Sequence, residues 1–321
     1  MLKKERIGWI DTLKFLGIFA IYLGHLGNQA GNSYNFVFQY HVPLFFFISG
    51  CFNKKIELDK YINYMKEVFK KYMYPYYLFS LIAFIFLSIR NNSFNSDLLI
   101  SFIKGIRNNV WGGLWFFSCL FIVKILYNFV LSMTKNKIVT FVISLLFYII
   151  SMKYLPHIPI REPKWFYNID SALFYIIFYS LGDIIFPYLK KYYNSKYCIV
   201  LYCISCLVAF DLFFGKNYFK ILKFLQLNSN IFYLLFIGLL LINFNILLSI
   251  FLSKIEIFKK IGKETLILCG NEQIGKLIFG DLLYLFGISL KIHNPLIAVI
   301  ETYIVLFLIY KFLVPIYKKY I

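Results

Sequence analysis

The sequence predicts an all-α membrane protein, a polytopic bundle of about ten transmembrane helices with both termini in the cytoplasm. Apolar residues make up 60% of the 321-residue chain and the mean hydropathy is +0.70, whereas an ordinary soluble domain is about 45–50% apolar. Apolar runs recur along the whole chain, each about 20 residues long, which is enough to cross a hydrocarbon core roughly 30 Å thick. Lysine and arginine are about twice as frequent in the segments predicted to be cytoplasmic as in the outer ones, in agreement with the positive-inside rule.

Each helix is predicted where an apolar run is bounded by polar or proline-containing segments. The first follows a basic N-terminus that resembles a signal peptide, but no small-residue cleavage site follows its apolar run, so we expect a retained first helix. The second is interrupted by Pro43 and by Ser49-Gly50, and three prolines within 156–164 end the fifth. The ten predicted helices cover residues 8–27, 36–53, 72–89, 112–132, 138–155, 168–189, 197–214, 230–252, 265–288 and 295–316.

Charge and cysteine usage exclude several other classes of protein. The formal net charge is +19, but no block of lysine and arginine is longer than two residues, which argues against a basic face that binds nucleic acid. The six cysteines lie in apolar runs, and Cys203 and Cys206 form a CxxC pair within the predicted seventh helix. They are therefore expected to be buried apolar side chains, with neither disulfide nor metal. No linker or repeat is found, so residues 1–321 are predicted to form one transmembrane domain.

Three polar residues lie on one face of the apolar first helix. Lys14 and His25 are eleven residues apart, so they differ by about 20° around the helix and lie about 16 Å apart along it. Asp11 precedes Lys14 by three residues and shares that face. Because a charged group near the centre of a membrane costs about 2.5–3.5 kcal/mol, we expect this stripe to line a water-accessible slot in the bundle. The alternative is that Lys14 extends to the membrane surface beside Asp11 while His25 caps the outer end.

Other polar and aromatic residues are candidates for the same site. His41 and Asp170 fall near the outer ends of their predicted helices, at the depth expected for His25. Trp111 and Trp115 could stack on the ring of a ligand, although tryptophan is also common at membrane interfaces.

Two further candidates lie in interrupted helices. Ser49 precedes Gly50, and the alternative to a binding role there is close packing of small residues. Glu272 lies in a polar interruption of the ninth helix. That interruption predicts either a broken helix that lines a cavity or a partly interfacial segment.

Four ordered motifs resemble a known family. The pattern Lys14-x10-His25 is followed by YHVPLFFFISG (40–50), WGGLWFFSCLF (111–121), WFYNIDSALFYIIFYSLGDII (165–185) and IGKETLIL (261–268). Together they resemble the membrane acyltransferase 3 family, in particular the branch related to fucose 4-O-acetylases of surface polysaccharides.

The resemblance implies a ten-helix bundle that moves an acyl group, usually acetyl, from acyl-CoA to an extracytoplasmic hydroxyl. It further implies a bacterial cytoplasmic membrane enzyme whose acceptor is a surface polysaccharide or a lipid-linked sugar, with membrane lipids as its surroundings. The wider family has arginine where this chain has Lys14, and lysine lacks the planar fork for bidentate contacts. Related chains often have a histidine shortly after the IGKETLIL stretch, where this chain reads CGNEQ (269–273), so a histidine role there is either absent or filled by Glu272.

The resemblance also suggests a role for each candidate. His25 is predicted to be the general base, because the ordinary histidine pKa of about 6.5 suits proton transfer near neutral pH. A transient acetyl-imidazole is the less favoured alternative. Lys14, paired with Asp11, is predicted to offer positive charge on the CoA side, either to bind the cofactor or to fix the first helix. The predicted substrate-binding residues are His41, Ser49, Trp115, Asp170 and Glu272.

Two alternatives remain open. Lys54 and Lys55 are predicted to attract the CoA phosphates, but ordinary positive-inside bias would also place lysines there. At the level of function, a transporter or flippase of a glycan or anionic small molecule is the second candidate, because buried charges and a broken helix also mark transport paths. An inactive member of the fold is the third.

Overall fold

The computed structural model describes residues 7–107, 112–160, 162–193, 196–214, 230–287 and 294–320. Within these residues all regular structure is helical. The α-helices are α1 Gly8–Gly24, α2 Asn32–Phe38, α3 His41–Cys51, α4 Tyr61–Arg90, α5 Ser96–Lys104, α6 Trp115–Thr134, α7 Lys137–Lys153, α8 Ile169–Tyr192, α9 Lys196–Phe214, α10 Asn230–Leu252, α11 Glu256–Gly262, α12 Thr265–Leu285 and α13 Pro295–Tyr320.

Several of these helices are suited to a bilayer. Five are long and apolar enough to cross a membrane, at Leu58–Arg90, Gly112–Thr134, Phe166–Tyr192, Phe232–Leu252 and Pro295–Lys319. The chain is therefore an all-helical integral membrane protein, as the composition predicts. Ten spans and cytoplasmic termini remain predictions.

Most predicted helices agree with the observed ones to within a few residues, and the second differs for a local reason. The predicted range 36–53 is two helices, because the chain turns at Gln39 and Tyr40 and α3 begins at His41. Pro43 lies in the first turn of α3, where its missing N–H needs no partner. A single apolar run therefore contains a corner that hydropathy alone does not mark.

The chain forms two compact units, each drawn from separate stretches of sequence. The first comprises Met1–Phe45, Lys191–Cys269 and Gly275–Ile321. Within it α1 is the central helix and packs against α2, α10, α11 and α13. At Gly262 the backbone of α11 comes so close to α1 that a Cβ would collide with the carbonyl of Asp11. This glycine lies in the IGKETLIL motif, and its contact fixes the N-terminal half of α1.

The second unit comprises Phe46–Lys190 and Gly270–Ile274. Here α6 packs against α4 and α7, while α3 and α8 cross through a reciprocal pair of glycines. A Cβ on Gly50 would collide with the Tyr179 carbonyl, and a Cβ on Gly182 would collide with the Phe47 carbonyl. Small residues at such a crossing allow two backbones to touch. The FISG and SLG segments of the family motifs therefore have a packing role in this structure.

Candidate active site on the first helix

The cytoplasmic end predicted for α1 carries a buried ion pair. Lys14 Nζ lies 3.6 Å from Asp11 Oδ1, with side-chain exposures of 27% and 4% respectively. The carboxylate is thus buried while the ammonium is partly open. Because most of α1 is buried, this opening marks one of the few positions on the helix that a ligand can reach.

His25 lies one residue beyond the end of α1, whereas the sequence predicts a helix as far as residue 27. Its backbone N–H donates to the Ile21 carbonyl at 3.0 Å, and the chain then turns through Gly27, which has a φ of +61°. The imidazole is half-buried. His25 is therefore held at the C-terminal edge of a well-packed helix and remains accessible.

His25 and His41 have one aromatic neighbour in common, the Phe38 ring. The Phe38 ring is 6.4 Å from the His25 ring and 4.8 Å from the His41 ring, centroid to centroid. His41 Nδ1 lies 2.7 Å from the Val37 carbonyl, so it carries the proton and donates it. In the neutral ring Nε2 then holds the lone pair. Two imidazoles thus flank Phe38 at one end of α1.

Lys276 of α12 completes this end of the helix. The last carbonyls of a helix have no partner within it, and Lys276 Nζ donates to one of them, the Tyr22 carbonyl, at 2.7 Å. The Tyr22 hydroxyl donates in turn to the Leu268 carbonyl at 2.7 Å. An ammonium at a helix C-terminus also interacts favourably with the helix dipole. Sequence reasoning missed this contact, since it saw Lys276 only as part of a polar interruption.

The face of α1 between Lys14 and His25 is closed, in contrast to the expected open slot. Ile18 and Ile21 lie between them on that face, and they are 0% and 5% exposed. The helix is packed on several sides, so apolar side chains fill the space that the slot would need. Lys14 and His25 are therefore both partly exposed, but at different positions along α1 with buried residues between them.

In the second unit, the Asp170 carboxylate accepts hydrogen bonds from the segment that precedes α8. One donor is His157, which the sequence analysis did not identify as a candidate. Asp170 Oδ2 accepts from His157 Nε2 at 2.8 Å and from the backbone N–H groups of Lys164 and Trp165 at 2.7 and 3.2 Å. Its Oδ1 accepts from the Ser171 N–H at 2.8 Å. Asp170 and His157 are both buried. Both carboxylate oxygens are thus used by these hydrogen bonds, and the predicted proximity to His25 stays a prediction.

Trp115 is buried, with the Arg107 guanidinium 4.8 Å from its ring centre. The same cluster contains Asn168, whose Oδ1 accepts from the Arg107 N–H at 2.8 Å. Stacking on a sugar therefore requires a face of Trp115 other than the one that Arg107 covers. Trp111 lies outside the described residues.

Lys54 and Lys55 follow α3 and are exposed. Asn53, just before them, is held by side chains of α6 and α8. Its Oδ1 accepts from the Tyr179 hydroxyl at 2.8 Å and from Asn128 Nδ2 at 3.0 Å. These hydrogen bonds fix the position of Asn53 and therefore the point from which Lys54 and Lys55 extend.

Glu272 lies on a helix that is continuous through the polar stretch, so α12 is not broken there as one interpretation of the sequence expected. Its side chain is buried next to Gly112 and Gln273. Ser49 is half-buried beside the Gly50 crossing. Their predicted roles in substrate binding stay predictions.

Comparison with known proteins gives one match. Residues 7–316 match the acyltransferase 3 family, which is described as an acyltransferase domain. No curated protein and no solved structure matches the chain.

Proposed function

Because the chain belongs to the acyltransferase 3 family and is a membrane acyltransferase, we propose that it transfers acetyl from acetyl-CoA to a sugar hydroxyl. The acceptor is a cell-surface polysaccharide or a lipid-linked sugar, and the enzyme lies in a bacterial cytoplasmic membrane. The observation that carries this proposal is the partly exposed His25 at the end of a buried helix, where Lys276 binds the Tyr22 carbonyl and where the Phe38 ring lies near both His25 and His41.

The proposed reaction uses His25 as a general base. The imidazole removes the proton of the acceptor hydroxyl while the hydroxyl oxygen attacks the thioester carbonyl. The tetrahedral intermediate collapses, the carbon–sulfur bond breaks, and the CoA thiolate receives the proton from the imidazolium. The products are the acetyl ester and CoA, and His25 is again neutral.

Lys14 is proposed to act on the donor at a different level from His25. The two residues are about 16 Å apart along the helix, and Ile18 and Ile21 close the face between them. The Lys14 ammonium therefore cannot stabilise charge on the carbonyl that reacts at His25. We assign it, with Asp11, to attraction of an anionic part of acyl-CoA, while Lys54 and Lys55 attract the phosphates from solution.

Among the residues proposed to bind the acceptor, His41 has the most structural support because it shares Phe38 with His25. Ser49, Trp115, Asp170 and Glu272 are retained as secondary candidates. The transporter hypothesis loses one of its supporting arguments, the broken helix, because α12 is continuous.

The test is transfer of labelled acetyl from acetyl-CoA to a glycan acceptor by membranes that contain the protein. His25→Gln is expected to lower kcat by about 10²- to 10⁴-fold, the usual contribution of a general base. Asn28→Ala, a change at an exposed residue in the same turn, is the control and should leave the rate unchanged. Substantial transfer by a correctly inserted His25→Gln enzyme would contradict the base assignment, and glycan movement without CoA would support the transporter.

A further inference from the structure

The short helix α5 is amphipathic and was not expected from the sequence. The Asn95 side chain caps its N-terminus by accepting from the Leu98 N–H at 3.1 Å, and Gly105 ends it with a φ of +66°. Nine residues make a helix about 14 Å long, less than half of a hydrocarbon core roughly 30 Å thick. This helix therefore cannot span a bilayer.

One side of α5 is docked on the second unit. Phe102 is buried, and its carbonyl accepts from the Tyr76 hydroxyl of α4 at 2.5 Å. The Gly105 carbonyl accepts from Asn168 Nδ2 at 2.5 Å. These contacts fix α5 to α4 and to the segment before α8. They therefore determine which side of α5 is buried and which side is exposed.

The opposite side of α5 is apolar and exposed. Leu99, Ile100 and Ile103 are 37%, 46% and 53% exposed, and their spacing places them within about 100° of one another around the axis. The exposed polar residues Asp97 and Lys104 lie to one side of this face. Such a distribution is typical of helices that lie at a membrane surface.

The candidate span before α5 also carries an exposed apolar stripe. Leu81, Ile85 and Ile89 follow one another at four-residue spacing on α4, and all three are exposed. On a helix that crosses a membrane, such a stripe contacts lipid. Phe94, between α4 and α5, is exposed as well, and the residues on either side of it in this connection are polar and exposed.

We propose that α5 is an interfacial helix whose Leu99, Ile100 and Ile103 face contacts phospholipid at one membrane surface. The occupant is lipid rather than another protein because α5 is docked on α4, a helix long and apolar enough to cross a membrane, and because Lys104 beside the apolar face supplies a cation for a lipid phosphate. The helix thereby sets the depth of the Asn168 and Arg107 cluster relative to the headgroups. This inference is independent of the acetyl transfer reaction.

The proposal is tested with a photo-crosslinking phenylalanine analogue introduced singly at Ile100 or Ile103 in native membranes, followed by mass spectrometry of the irradiated protein. Both positions are expected to give lipid adducts several-fold more often than the matched position Asp97 on the polar side. The analogue at Ile89 on α4 is the positive control.

Protein adducts at residues 100 and 103 would overturn the proposal and indicate a partner protein. Equal lipid yields at residues 97 and 103 would overturn it as well, and so would no lipid adduct at 100 or 103 when residue 89 gives one. As a second readout, Ile103→Trp should show fluorescence quenching by lipids brominated near the headgroup, beyond that of the unsubstituted protein. Unchanged fluorescence would count against the proposal.

Discussion

At the scale of single residues, the site depends on how the end of α1 is held. Lys276 donates to the Tyr22 carbonyl three residues before His25, so the ammonium satisfies a group that would otherwise have no partner in the helix. His25 itself follows directly on the last turn. A contact on α12 thus controls the position of a residue on α1.

Lys276 is accordingly a positioning residue. Lys276→Met should lower kcat about tenfold, since losing a charged hydrogen bond costs about 1.5–3 kcal/mol, while the KM for acetyl-CoA stays nearly unchanged. Lys276→Arg should restore most of the rate because it keeps the charge and a donor. The measurement is steady-state acetyl transfer, with Lys311→Met on α13 as the control. If Arg and Met variants were equally impaired, the hydrogen bond would not be the cause.

The second prediction at this scale concerns the hydrogen bonds that the Asp170 carboxylate accepts. Asp170→Ala leaves His157 and three backbone N–H groups without their acceptor, so we expect a loss of about 3–5 kcal/mol of unfolding free energy. The measurement is unfolding in detergent followed by tryptophan fluorescence. Asp97→Ala, at an exposed carboxylate on α5, should change stability far less. A stable Asp170→Ala enzyme with a raised KM for the acceptor would instead favour the substrate-binding role.

At the scale of helices, glycines decide which elements touch. Gly262 brings α11 against the Asp11 carbonyl, and Gly50 and Gly182 bring α3 and α8 together. These positions all lie within sequence motifs of the family. In this structure, three glycines of these motifs allow close approach of helix backbones.

Gly262→Ala tests this interpretation. The added methyl group must displace α11 from α1, and overpacking of this kind costs about 1–3 kcal/mol. Thermal unfolding in detergent would measure the loss. Gly280→Ala on α12 is the matched control, because no atom lies near the added Cβ and alanine favours a helix. Equal stability of the two variants would show that the close approach is not required.

Hydropathy predicts ten helical segments, and most of them agree with observed helices. It misses two short helices and the start of a third, for reasons that the structure shows. Helices α5 and α11 are too short and amphipathic to stand out as apolar runs, and the first turns of α4 are too charged. The ion pair of Asp11 and Lys14 is local and follows from helical spacing. His157, Lys276 and the closure by Ile18 depend on contacts between distant parts of the chain, which no local pattern contains.

At the scale of the whole molecule, the net charge of +19 creates a field that attracts anions. The exposed Lys54 and Lys55 contribute to it next to the anchored Asn53. Such attraction acts over about 8 Å at physiological ionic strength and weakens as salt is added. Donor capture should therefore depend on salt more than the chemical step does.

The expected consequence is a raised KM. Replacing both Lys54 and Lys55 by alanine should increase the KM for acetyl-CoA several-fold at low salt and leave kcat nearly unchanged, because long-range attraction speeds encounter. Added salt should bring the KM of the unsubstituted enzyme towards that of the variant. Lys104→Ala on α5 serves as the control for charge alone. A KM independent of both lysines would assign them to membrane orientation only.

Ile18 and Ile21 divide α1 into two polar ends with an apolar barrier between them. A continuous column of water through the protein would conduct protons and discharge the electrochemical gradient that energises the membrane, whereas a hydrophobic constriction excludes water. In a protein of the membrane, two such isoleucine side chains let one helix carry polar groups at two levels without a water column between them.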